Sequence, residues 1–102
     1  MSTTLKIALC QLKTVVSPAE NLAQAEHMIS LAAAKGARLV MLPESFIAPY
    51  VMAIQREIGE AWYKTAIHKL GQAAKMHHIF LVGGSLPEPA GKYLYNTAPV
   101  FN

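Results

Sequence analysis

The sequence predicts an α/β fold, and three observations carry that prediction. Apolar residues come in short runs at 7–10, 39–42 and 79–82. Each has the length of a strand, and none alternates cleanly between apolar and polar, as expected when both faces of a sheet are covered. Between the first two runs lies a segment with helical periodicity and recognisable ends. A strand, a helix and a strand in that order form a parallel βαβ unit, because a parallel pair needs a crossover connection.

The elements follow in order. Residues 5–12 read as the first strand. Ser17-Pro18-Ala19-Glu20 then opens a helix: Ser17 can cap it, Pro18 suits the first turn, and Glu20 can complete a capping box. Leu22, Ala25, Ile29 and Ala32 lie on one face at helical spacing, Lys35 falls in the last turn, and Gly36 supplies the stop. Residues 37–42 form the second strand, closed by Pro43. Pro49 interrupts the next stretch, leaving a short helix at 51–58. A second long helix is expected over 61–77, with Tyr63, Ile67, Leu70 and Ala74 as its apolar stripe. Gly71 inside it costs about 1 kcal/mol against alanine. The third strand covers 79–82. Gly83-Gly84 and the proline-rich residues 86–91 read as a turn-rich connection. A fourth strand over 93–101 is expected antiparallel to the third, since the connection is short and lacks a helix. This βαβαββ order leaves apolar sheet surface with nothing in the sequence to cover it.

Length and composition set further bounds. One domain at most fits in 102 residues. Charged residues are only 15% of the chain and hydrophobic ones 53%, more apolar than a small independent domain requires. A piece of a larger core, or an oligomer with an apolar interface, has this balance. No apolar run nears the ~18 residues of a membrane span, and the N-terminus lacks the shape of a signal peptide. A cytoplasmic location is the expectation, and a single cysteine, Cys10, agrees with a reducing compartment. The net charge of +3 is spread along the chain without a basic block, which argues against nucleic-acid binding.

Few residues could carry chemistry. Glu44 follows a buried strand and Pro43, at the strand end where α/β folds gather reactive groups. A partly desolvated carboxylate there would have a raised pKa and could shuttle a proton, although a solvated or helix-capping glutamate also fits. Cys10 lies among apolar strand residues, where desolvation disfavours the thiolate and leaves a cysteine inert. His68, His77 and His78 lack metal-ligand spacing, and the sequence contains no aspartate, so neither a metal nor another cofactor is expected. Ser45 and Ser85 have no nucleophile-elbow motif around them. Gly83-Gly84 either forms a phosphate-binding turn, without the wider glycine pattern, or marks backbone that needs close approach or unusual dihedrals.

Five segments taken together resemble the nitrilase superfamily of carbon–nitrogen hydrolases. They are 6–12 (KIALCQL), Gly36-Ala37, Leu42-Pro43-Glu44 with Phe46, Val82-Gly83-Gly84-Ser85, and Tyr95-Asn96-Thr97-Ala98, in register over nearly the whole chain. Pro49-Tyr50 and Gly84-Ser85-Leu86-Pro87-Glu88 look most like its ω-amidase branch. The resemblance implies that residues 1–102 are the N-terminal part of a nitrilase-like αββα sandwich, which would cover the open sheet. It also implies a Glu-Lys-Cys catalytic set without a cofactor. The family glutamate maps onto Glu44, as general base and then general acid. Tyr50 is a candidate for lining the substrate pocket, or else a loop aromatic packed on the core. The family's lysine and cysteine map onto no residue here, and Lys75, Lys92 and Cys10 occupy other parts of the pattern. Where relatives often have a Gly/Pro-rich helix start, this chain has Ala61-Trp62-Tyr63-Lys64.

Three readings follow. The chain is part of an amidase acting on small ω-amides of dicarboxylic acids, inactive by itself, from a family whose members commonly form homo-oligomers. Alternatively it is a non-catalytic family member that acts as an interaction module through its exposed sheet. The third reading is an unrelated α/β domain that binds a phosphate ligand at Gly83-Gly84.

Overall fold

The computed structural model of the chain describes residues 4–102. Its elements are β1 (Ile7–Leu9), α1 (Pro18–Ala34), β2 (Leu39–Met41), α2 (Met52–His77), β3 (Phe80–Val82), β4 (Leu86–Ala90), β5 (Tyr93–Thr97) and β6 (Val100–Phe101). A four-stranded sheet runs β1-β2-β3-β6, and β4 and β5 form a separate two-stranded ribbon. The pairs β1–β2 and β2–β3 are parallel, as a βαβαβ chain requires, and β6 lies antiparallel to β3.

Helix α1 begins and ends where its capping residues place it. The Ser17 hydroxyl accepts from the Glu20 N–H at 3.2 Å. Pro18 occupies the first turn, where a missing N–H costs nothing. The chain leaves the helix through Gly36 at φ +90°, a conformation that a side chain resists. The Lys6 ammonium donates to the Lys35 carbonyl at 2.8 Å, so the residue just before β1 also satisfies the helix end.

Both crossovers step in the same direction across the sheet. Right-handed connections therefore place α1 and α2 on one face, and the two helices pack on each other and on β2 and β3. Ala8, Val40, Leu81 and Phe101 are cross-strand neighbours that point into this layer. Val40 and Leu81 are wholly buried there, among Leu22, Ile29, Ala66 and Leu70. The other face carries two registered rows, Ile7–Leu39–Phe80 and Leu9–Met41–Val82–Val100. This face is open: Leu9 is 76% exposed and Val100 70%.

Three expectations require correction. The helices expected at 51–58 and 61–77 are one helix, α2, because its first half packs on the ribbon. Gly59 is the contact point: a Cβ there would sit 2.8 Å from the Pro87 carbonyl. The turn-rich stretch at 86–91 is mostly strand β4. Pro87 and Pro89 are two residues apart, so both missing N–H donors fall on the ribbon edge that β5 does not use. The strand expected at 93–101 is two strands, and only β6 pairs with β3; Tyr93–Thr97 turns back on β4 instead.

Candidate active site

Glu44 lies in the turn that leaves β2, at the end of the parallel strands where their C-termini gather. Pro43 precedes it, and the segment then bends inward, so that Ser45, Phe46, Ile47 and Ala48 are all buried. A buried loop must find partners for its backbone polar groups, and side chains from three directions provide them.

From α1, the buried Asn21 amide donates to the carbonyls of Ile47 at 2.9 Å and Val15 at 2.8 Å, while its oxygen accepts from the Val15 N–H at 2.8 Å. From the first turns of α2, Gln55 Nε2 donates to Ser45 Oγ at 2.8 Å, to the Pro49 carbonyl at 2.8 Å and to the Ala48 carbonyl at 3.2 Å. From the segment after β3, Ser85 Oγ accepts from the Ser45 N–H at 2.9 Å. Thr14 adds a bond from its hydroxyl to the Phe46 carbonyl at 3.2 Å.

The backbone of this turn is not relaxed. Ser45 sits in the left-handed region at φ +49°, a conformation that costs a non-glycine residue about 1–2 kcal/mol. Beside it, Gly84 at φ +63° lies so close that a Cβ would fall 2.0 Å from the Pro43 carbonyl oxygen. Gly83 is equally enclosed: its N–H donates to the Pro99 carbonyl at 2.8 Å, and a Cβ would meet the Pro99 ring at 2.9 Å. The glycine pair therefore serves close packing, Gly84 against the Glu44 turn and Gly83 against Pro99. It does not form an open cradle for phosphate.

The structure brings the two sequence candidates together. Tyr50 Oη donates a hydrogen bond to Glu44 Oε1. That bond, with lesser contributions from burial and from the carboxylate charge, pushes the Tyr50 phenol above its ordinary value. Tyr50 is 72% exposed and lines a cleft of about 150 Å³, with Ser45, Gln55, Leu94, Tyr95 and Asn96 among the other walls. Of the desolvated and solvated readings of Glu44, the structure has the second: the residue is exposed, because the turn buries the side chains after it and leaves its own at the surface.

Other candidates are placed apart. Cys10 is buried just beyond β1, with its N–H on the Met41 carbonyl, and burial pushes its thiol up. His78 caps α2 in the left-handed conformation, and among the described residues no three His, Cys, Asp or Glu side chains gather as a metal site. No helix among them is long and apolar enough to cross a membrane. Asn21, Gln55 and Ser85 were not singled out as site residues from the sequence. Asn21 had a visible signal, a polar side chain four residues before Ala25 on the buried stripe of α1. Ser85 stands in a family-like segment, but nothing there announces its bond to Ser45, 40 residues away, and Gln55 had no signal, since its partners lie 6–10 residues away across irregular backbone.

The chain has relatives of known kind. A family model described as carbon-nitrogen hydrolase matches residues 6–102. The omega-amidase NIT2 of Danio rerio is 40% identical over 96 residues, covering 94% of this chain and 35% of that protein. The Xenopus tropicalis omega-amidase NIT2 is 42% identical over 98 residues, covering 94% and 36%. Among solved structures, Nit3 of Saccharomyces cerevisiae, a member of branch 10 of the nitrilase superfamily, superposes with a TM-score of 0.84 at 32% identity, over 96% of this chain and 40% of that one. A glutamate-to-glutamine mutant of the amidase from Nesterenkonia sp. AN1, with acrylamide added at its active site cysteine, superposes at 0.83 with 29% identity, over 95% and 39%. The chain thus spans about a third of the length of the curated relatives it matches.

Proposed function

We propose, for a chain that belongs to the carbon–nitrogen hydrolase family, that it supplies the general acid–base glutamate of an ω-amidase-like enzyme. The substrate class is small ω-amides of dicarboxylic acids, and the product is ammonia. The observation that carries the proposal is Glu44 itself. Its carboxylate stands at the C-terminal end of the parallel strands, on a turn fixed by Asn21, Gln55 and Ser85, and bonded to Tyr50 at the edge of a cleft. Catalytic groups need such pre-set backbone, because reorganisation during reaction raises the barrier. The 40% identity to proteins named omega-amidase supports the choice of substrate class.

In this reading Glu44 takes the proton from a cysteine thiol, and the thiolate attacks the amide carbonyl carbon. The C–N bond then breaks, and ammonia leaves with the proton that Glu44 returns. Water cleaves the resulting thioester to a carboxylic acid, and the thiol is restored. A lysine stabilises the oxyanion along the way. The family resemblance maps this cysteine and lysine onto none of the 102 residues. Cys10 is no substitute, since it is buried and burial pushes its thiol up, away from the thiolate that a nucleophile needs. Tyr50 forms part of the pocket wall.

Ammonia release from a small ω-amide tests the proposal. The 102-residue chain alone should release none. The polypeptide purified from its native source, with its intact mass measured against 11.1 kDa, should be heavier and active, and should lose activity on Glu44→Gln. Undiminished release by Glu44→Gln would overturn the role of the glutamate. Release by the 102 residues alone would overturn their dependence on further groups.

One observation favours a second reading, an interaction module. The open face of the sheet presents two apolar rows, with Ile7, Leu9, Phe80 and Val100 each at least half exposed. Contiguous apolar surface of this kind favours association. Light scattering at high concentration should then find a dimer or larger species, and a monodisperse monomer would count against the module.

A further inference from the structure

We propose that Gln55 is the positioning residue of the Glu44–Tyr50 pair: its side-chain amide holds the turn in the one shape that lets the Tyr50 hydroxyl reach the Glu44 carboxylate. The claim that this geometry serves catalysis rests on the proposed role of Glu44, whereas the geometry itself does not.

Gln55 touches neither partner of the pair in the hydrogen-bond pattern, yet it contacts the backbone and side chains between them. Its Nε2 meets Ser45 Oγ, one residue after Glu44, and the carbonyls of Ala48 and Pro49, the two residues before Tyr50. One donor group thus ties both ends of the turn between Glu44 and Tyr50 to the start of α2, the longest helix in the fold. The tie opposes real strain, because Ser45 is held at φ +49°. Without the amide, three oxygens facing partly buried space would lose a donor at once. The end of the turn next to Tyr50 would be freed, and among the described residues the exposed Glu44 and Tyr50 side chains make no hydrogen bond besides the one to each other. The other ties, from Ser85 Oγ to the Ser45 N–H, from Thr14 to the Phe46 carbonyl and from Asn21 to the Ile47 carbonyl, hold the Glu44 end and the middle of the turn, whereas Gln55 also holds the end next to Tyr50. The tie engages one carboxylate oxygen, Oε1, through Tyr50, which leaves Oε2 to exchange the proton.

The test reads Tyr50 directly in the 102-residue chain. With tyrosine labelled at the ring carbon bearing oxygen, nuclear magnetic resonance follows the phenol of each tyrosine through its titration, and Tyr50→Phe assigns the signal. Tyr50 should titrate above the ordinary phenol value, and Glu44→Gln should bring it back down. Gln55→Met keeps the shape but removes the donor, and should bring it down by a similar shift. Gln55→Asn, whose amide is one methylene short, should do the same if the isosteric variant folds poorly. Circular dichroism checks the fold of each. A Tyr50 titration unchanged from wild type in either folded Gln55 variant overturns the proposal. Because the readout needs no turnover, that failure is separate from any failure of the amidase reading, which the ammonia assay decides.

Discussion

The two faces of the four-stranded sheet differ in a way that their sequences do not announce. On one face, Ala8, Val40, Leu81 and Phe101 meet α1 and α2, and Val40 and Leu81 are completely buried. On the other, Ile7, Leu39 and Phe80, with Leu9, Met41, Val82 and Val100, are equally apolar and look outward. The side chains do not decide which face is covered. Two right-handed crossovers that step the same way put both helices on one side, and the described residues supply no other helix. A strand apolar on both faces signals a sheet that lies between two layers, so the sequence encodes a second layer that these residues do not form.

Substitutions on the two faces should therefore behave unequally, and urea or thermal unfolding of the chain measures the difference. Leu81→Ala, on the covered face, is expected to cost about 2–5 kcal/mol, the range for a buried leucine that leaves a cavity. A smaller loss is expected from Asn21→Ala, about 1–3 kcal/mol. It strips donors and an acceptor from the backbone of Val15 and Ile47 in the same layer. Ser17→Ala, which removes the cap of one covering helix, should cost about 1 kcal/mol. Leu9→Ser, on the open face, should change stability by no more than about 0.5 kcal/mol. If Leu9→Ser proves as damaging as Leu81→Ala, the open face is covered in solution, and the comparison fails in favour of self-association.

The same contrast separates what was legible at the candidate site. Glu44 was visible because it follows a buried strand and a proline, and Tyr50 because it falls within the family-like Pro49-Tyr50 pair. Their hydrogen bond to each other was not visible, since it depends on a turn with one residue in the left-handed region. The reading of Gly83-Gly84 as a close-approach pair was correct, and the structure adds what is approached: the Pro43 carbonyl and the Pro99 ring. Of the two environments open to Glu44 in the sequence, the structure has the solvated one, because the turn after β2 buries the residues that follow and leaves the glutamate at the surface.

By itself the sequence determined the α/β class, the parallel order of the first three strands and helix α1 almost to the residue. These are local properties: the apolar runs, the Ser17 cap, the Pro18 start and the Gly36 stop act within a few residues of themselves. Tertiary structure alone decided the rest. It carried α2 unbroken through Gly59, where the ribbon's Pro87 approaches too closely for any side chain. It made a strand of 86–90 despite two prolines, because β5 pairs with the edge they leave free. It tied the turn between Glu44 and Tyr50 to Gln55, Asn21 and Ser85, residues up to 41 positions from the glutamate. Each of these outcomes depends on a contact between distant segments, whose free energy outweighs local propensity and leaves no periodic trace in the chain.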